Sequence, residues 1–277
     1  MRSVAAVVAL TLTLALPSAL AAEVIVRPHD PAAAEPAFQS AFEALFAVKA
    51  GLDEPATFLI VPRYAVETTD PSGTSTLFAV RNVTAAPLDL DVRYRSPDGA
   101  TLRQDLPTLG ARATLTRNVR DVAGLPVDPD GFARGFVQIQ AATPFVGDYL
   151  QVDAAGDFAT GDRMISLADL CDLAEIRFFD FGSGTELHFV VNVPGGTDPE
   201  DPPTFTVTPF GEDGAAFPAL DVFVDEFTFT MTAADFTLLA FGTLVFDFGA
   251  ASGGAVHGEY SAFGQFSVGM NGACRTP

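Results

Sequence analysis

The second half of this chain repeats the first, and no other feature limits its possible folds as strongly. Leu77-Phe78-Ala79-Val80-Arg81-Asn82-Val83 aligns with Leu187-His188-Phe189-Val190-Val191-Asn192-Val193. Val92 precedes Asp98-Gly99-Ala100 by the same spacing at which Val207 precedes Asp213-Gly214-Ala215. Gly135-Phe136-Val137-Gln138-Ile139 matches Gly242-Thr243-Leu244-Val245-Phe246, and Gly147-Asp148-Tyr149 matches Gly258-Glu259-Tyr260. Gly156-Asp157-Phe158-Ala159-Thr160-Gly161 matches Gly264-Gln265-Phe266-Ser267-Val268-Gly269. The blocks are collinear, and their spacing changes only at turns.

The blocks read as strands. Val92 and Tyr94 alternate with Asp91, Arg93 and Arg95, a period of two that ends at the turn residues Pro97-Asp98-Gly99. Phe227 and Phe229 alternate with Thr228 and Thr230. Asp-Gly supplies the positive φ that a tight turn needs. In the first copy strands are expected near 57–66, 75–83, 88–95, 112–118, 133–140, 146–152 and 157–165, and the second copy repeats them from about 174. Short strands at this spacing imply an all-β chain of two tandem β-sandwich domains, 57–165 and 166–277, with a linker near 164–173. Thr197-Asp198-Pro199-Glu200-Asp201-Pro202-Pro203 is then a loop inside the second copy.

Val80-x-Asn82, Val92 and Asp98-Gly99, with Val190-x-Asn192, Val207 and Asp213-Gly214, resemble bacterial extracellular immunoglobulin-like modules of the CARDB kind over about 30 residues per copy. The resemblance implies immunoglobulin-like sandwiches acting as spacers, adhesion units or partner-binding domains. It supplies no catalytic residues.

The start of the chain has a different character. Arg2 precedes an apolar run, Ala5 to Leu16, and small residues up to Ala22, which reads as a secretory signal peptide over 1–22 cleaved after Ala21 or Ala22. The run is short for a membrane span, so no transmembrane segment is expected after cleavage. Residues 23–56 read as an arm and a short helix: Phe38, Phe42, Leu45 and Phe46 fall on one helical face. The expected location is secreted or periplasmic. Export favours a disulfide between the two cysteines, Cys171 and Cys274. Such a bond closes a loop of about 100 residues, worth about 4.7 kcal/mol in the chain-entropy model.

Charge separates the copies. The whole chain carries a net charge of −20, which argues against nucleic acid as a partner. Residues 57–163 hold ten Arg and thirteen acids, whereas 164–277 hold two Arg and sixteen acids. Arg93 and Arg95 share a strand face, and Arg112, Arg117 and Arg120 follow nearby. This Arg-bearing surface is the candidate for docking on acidic surface, either the second copy of the same or another molecule, or an acidic protein partner or cell-surface component.

Catalytic signals are weak. The three His (His29, His188 and His257) form no zinc motif. His188 in its apolar strand reads as a packed side chain. Gly182-Ser183-Gly184 lacks the nucleophile-elbow pattern and reads as a turn. Asp148 and Glu259, each beside a Tyr, read as turn acids rather than a glycosidase pair. Asp128-Pro129-Asp130-Gly131 and Asp198-Pro199-Glu200-Asp201 cluster hard oxygen ligands and are the calcium candidates, at Asp128, Asp130, Asp198, Glu200 and Asp201. No other cofactor is implied. Trp is absent, which weakens a carbohydrate-binding face. The expectation is a non-catalytic structural or interaction protein. Its rivals are an extracellular hydrolase, or a calcium- or carbohydrate-binding protein, with a site at the interdomain groove.

Overall fold

The computed structural model describes residues 54–274 apart from 71–72, 98, 154–157, 180–184, 192–202, 225–227, 233–234, 238–240, 250–252 and 263–265. The expected leader and helix, His29, Ser183 and the expected loop at 198–201 therefore lie outside the described residues. What is described is all-β and antiparallel, with two 3-10 turns at Val119–Asp121 and Leu167–Asp169.

The first half contains β1 (Ala56–Glu67), β2 (Ser75–Asn82), β3 (Leu88–Arg95), β4 (Thr101–Asp105), β5 (Thr108–Leu109), β6 (Thr114–Asn118), β7 (Phe132–Asp153), β8 (Phe158–Arg163) and β9 (Ile165–Ser166). The second contains β10 (Leu173–Phe179), β11 (Thr185–Val191), β12 (Thr204–Phe210), β13 (Leu220–Phe223), β14 (Thr228–Thr232), β15 (Phe241–Asp247), β16 (Gly254–Ala262), β17 (Phe266–Asn271) and β18 (Ala273–Cys274). Every ladder among these strands joins two strands of the same half.

The two halves share one strand order. The path β4-β3-β7-β1-β9 is matched by β13-β12-β15-β10-β18. The group β6-β2-β7-β8 is matched by β14-β11-β16-β17. The first half forms one nine-stranded sheet only because β7 runs unbroken from one layer to the other. The alternation had suggested two strands here. Thr143 and Pro144 sit at the crossover, between the last residue paired with β3 (Ala141) and the first paired with β2 (Phe145). The missing N–H of Pro144 therefore disrupts no ladder. In the second half the corresponding span is interrupted after Asp247, and Gly253 takes a φ of +98° before β16 begins.

The register repeats as well. Val92 opposes Ile139, and Val207 opposes Phe246. Val92 also opposes Asp105 where Val207 opposes Leu220. The hairpins that follow are equivalent bond for bond. Ser96 N–H donates to Ala100 O as Gly211 N–H does to Ala215 O, both at 3.0 Å. Gly99 and Gly214 hold φ of +86° and +77°, which a Cβ would strain. One aligned block is out of phase: Phe78 and Val80 face the first core, and Leu187, Phe189 and Val191 face the second, so His188, aligned with Phe78 in sequence, lies on the other face of its strand. A one-residue slip would exchange the faces, so burial decides the alignment.

The cores differ in chemistry. Tyr64, Tyr94 and Tyr149 pack with Phe78, Phe145 and aliphatic residues in the first. The second packs Phe189, Phe205, Phe236, Phe246 and Phe248, with Phe246 within 6.3 Å (centroid to centroid) of each of the other four. A smaller apolar cluster joins the halves: Ile60, Phe136 and Ile165 meet Val190 and Ala255, flanked by Phe58 and Leu170. No helix among the described residues is long and apolar enough to cross a membrane.

Candidate functional site

Arg93 and Arg95 do share the outward face of β3, because the buried positions of that strand are Leu88, Leu90, Val92 and Tyr94. Their charge is already engaged. Arg93 binds the Asp91 carboxylate at 2.6 Å, and Gln104 donates to the same carboxylate at 2.8 Å. The Arg93 hydrogen bond holds the Asp91 carboxyl below the usual carboxylate range. Arg95 donates to the Gly99 carbonyl at 2.6 Å, and partial burial lowers the affinity of its guanidinium for its proton. Arg112 lies in the turn before β6, with φ +59°, and Arg117 lies on β6 itself. The Arg set is thus spread over three elements rather than one.

Arg120, grouped with them in sequence, clamps a loop. Its guanidinium donates to the carbonyls of Glu67 (2.6 Å), Asp70 (2.9 Å), Gly73 (2.8 Å) and Thr74 (3.1 Å). These acceptors lie about fifty positions upstream, a distance that local sequence patterns do not reveal.

Asp128 and Asp130, the described calcium candidates, converge on Arg134. Its two terminal nitrogens bind them at 2.8 and 2.7 Å, and its guanidinium lies 4.5 Å over the Phe132 ring. The Arg134 hydrogen bonds hold the Asp130 carboxyl low. The positive charge that this acidic turn attracts comes from the chain itself. Among the described residues no group of three or more His, Cys, Asp and Glu is arranged to hold a metal ion.

At the seam between the halves, Arg63 Nη1 lies 3.3 Å from His188 Nε2. A guanidinium has only donors, so the His188 nitrogen is the acceptor of this contact. His188 stacks on His257 with centroids 6.2 Å apart, and Tyr149 meets His257 edge-on at 5.7 Å. All three rings are buried. His188 is therefore a packed strand residue, as its apolar setting suggested. Asp148 is buried in β7 opposite Arg163 in the β8 ladder, while Glu259 opposes Glu186.

Cys171 and Cys274 are disulfide-bonded, with Cα atoms 5.8 Å apart. Cys171 bridges Gly254 at the start of β16, and Cys274 pairs with Ala174 on β10. The bond ties the entry of the second half to its last strand.

The residues that sequence reasoning missed lie on the outer strand of the second half. Around β13, Phe217, Leu220 and Phe223 are 41%, 40% and 67% exposed. A signal was present: Phe223 follows Val222 where alternation calls for a polar residue. No protein-family model, curated protein or solved structure matches this chain.

Proposed function

We propose that this chain works outside the cytoplasm, in the periplasm or after secretion, as a non-catalytic binding or structural protein made of two duplicated immunoglobulin-like sandwiches. The repeated strand order, with Val92 opposite Ile139 and Val207 opposite Phe246, carries this reading. A scaffold written twice, with its cores kept and its surfaces changed, is the pattern of a module whose surface does the work. The leader-like start, the Cys171–Cys274 bond and the resemblance to CARDB-type modules support the same view. At the seam where a hydrolase was the rival, His188, His257 and Tyr149 are packed ring against ring.

The test is a crosslinking pull-down with the mature protein from envelope and culture-medium fractions, at low and high salt. A discrete partner released by salt is expected. Turnover of a glycan or peptide substrate by the same preparation, with no partner in any fraction, would contradict the proposal.

A further inference from the structure

We infer that β13 is a docking edge that takes an extended segment of a partner polypeptide, alternating basic and apolar side chains, as an added strand. This rests on the binding-protein reading above. Sheet edges present unpaired backbone groups, and proteins blunt them with inward-pointing charges, proline or breaks. The duplication supplies an internal control. Asp105 of β4 and Leu220 of β13 occupy the same place, opposite Val92 and Val207. In the first half this edge carries the Arg103–Asp105 ion pair and is broken by Leu106-Pro107 before β5. In the second half the same positions run without a break as Leu220-Asp221-Val222-Phe223.

The backbone direction follows from one bond. Val224 N–H donates to Pro203 O at 2.8 Å, so alternation turns the backbone groups of Leu220 and Val222 toward β12 and those of Asp221 and Phe223 outward. Among the described strands β13 pairs only with β12. On the inner side, an added strand would meet Leu220 and Val222. On the outer side it would meet Phe223 and Asp221, which accepts a hydrogen bond from Thr206; across Thr206 in the ladder stands Asp247. Apolar inner positions, and an outer face on which the Asp221 and Asp247 carboxylates flank the exposed Phe223 ring, select a strand with apolar side chains on one face and long basic ones on the other. The half that carries this edge holds sixteen acids and two Arg.

The experiment titrates the full mature protein with a labelled peptide of about seven alternating Lys and Val residues, and with its Glu-for-Lys counterpart. Binding is read by anisotropy and by amide NMR shifts. The Lys peptide should bind, weaken with salt and shift amides around 220–223; the Glu peptide should not bind. Asp221→Pro, which removes an outward N–H, and Phe223→Lys should each weaken binding by about tenfold or more. Thr108→Lys, at the place equivalent to Phe223, should leave it unchanged. Unchanged melting of Phe223→Lys shows that the fold is kept. Equal binding of both peptides, or indifference to both β13 variants, overturns the edge. If the pull-down still yields a partner that Phe223→Lys does not release, the edge alone fails; if no partner is found either, the binding reading fails with it.

Discussion

The two halves share a strand order and register but differ in how they treat the same positions. The first half builds its core around Tyr64, Tyr94 and Tyr149, blunts its edge with Arg103, Asp105 and Pro107, and spends its Arg on internal pairs. The second fills its core with Phe, locks its ends with a disulfide and carries the exposed side chains of Phe217, Leu220 and Phe223 around its edge strand. Backbone pairing tolerated this divergence because a sandwich requires only alternation and volume inside. Edge chemistry, which no core demands, was free to change.

The comparison can be broken most severely at a glycine. A Cβ at Gly135 would lie 1.9 Å from Arg95 O and 2.9 Å from the Tyr64 ring. Gly135→Ala should cost about 3 kcal/mol or more and loosen the first half, while hydrogen exchange in the second stays slow. Equal loosening of both halves would show that they fold as one unit.

Phe246→Ala is the complementary cut, expected to cost about 3–5 kcal/mol in the second half. Denaturation followed by tyrosine emission should report it weakly, because three of the four tyrosines lie in the first half. Cys171→Ala with Cys274→Ala should cost about 2–5 kcal/mol, again confined to the second half. Urea midpoints of β10 and β16 peptides, followed by pulsed exchange, would check it.

Alkali should act on the first half. Burial, reinforced by Asp105, pushes the Tyr94 hydroxyl up to about 12, and burial raises Tyr64 as well. A raised pKa favours the folded state at pH values below the unfolded value near 10 and loses that stability as pH climbs to about 12. Roughly 2 kcal/mol should be lost across that window, and Tyr94→Phe should flatten the fall. A profile that Tyr94→Phe leaves unchanged would contradict this. The smallest effect is at Asp91→Asn. The carboxyl is held low by Arg93, so its contribution is present at neutral pH and lost in acid as Asp91 protonates. This pair is only half-buried and stays in reach of solvent, so the loss should be small and shrink with salt.

Strands β1, β2, β3, β6 and β8 lie close to where the sequence puts them, and in β3 the alternation of apolar and polar side chains is plain. The edges β4, β5, β9, β13 and β18 were not, being two to five residues long and carrying mixed or polar side chains. The match of Leu77 to Leu187 misled by one residue because β2 is buried on both faces, which erases its alternation. The Asp128 and Asp130 pair was visible as an acidic turn, but its occupant, Arg134, is identified only once the chain turns back. The Arg120 clamp and the Arg63–His188 contact join residues about 50 and 125 apart and left no local trace.

The most direct test of the repeated strand order is a set of cross-strand NOEs on the protein from residue 23 onward. The account predicts backbone contacts between Val92 and Ile139 and, at the equivalent place, between Val207 and Phe246, each central residue also touching its edge partner, Asp105 or Leu220. A second half in which Val207 faces any residue other than Phe246 would contradict it.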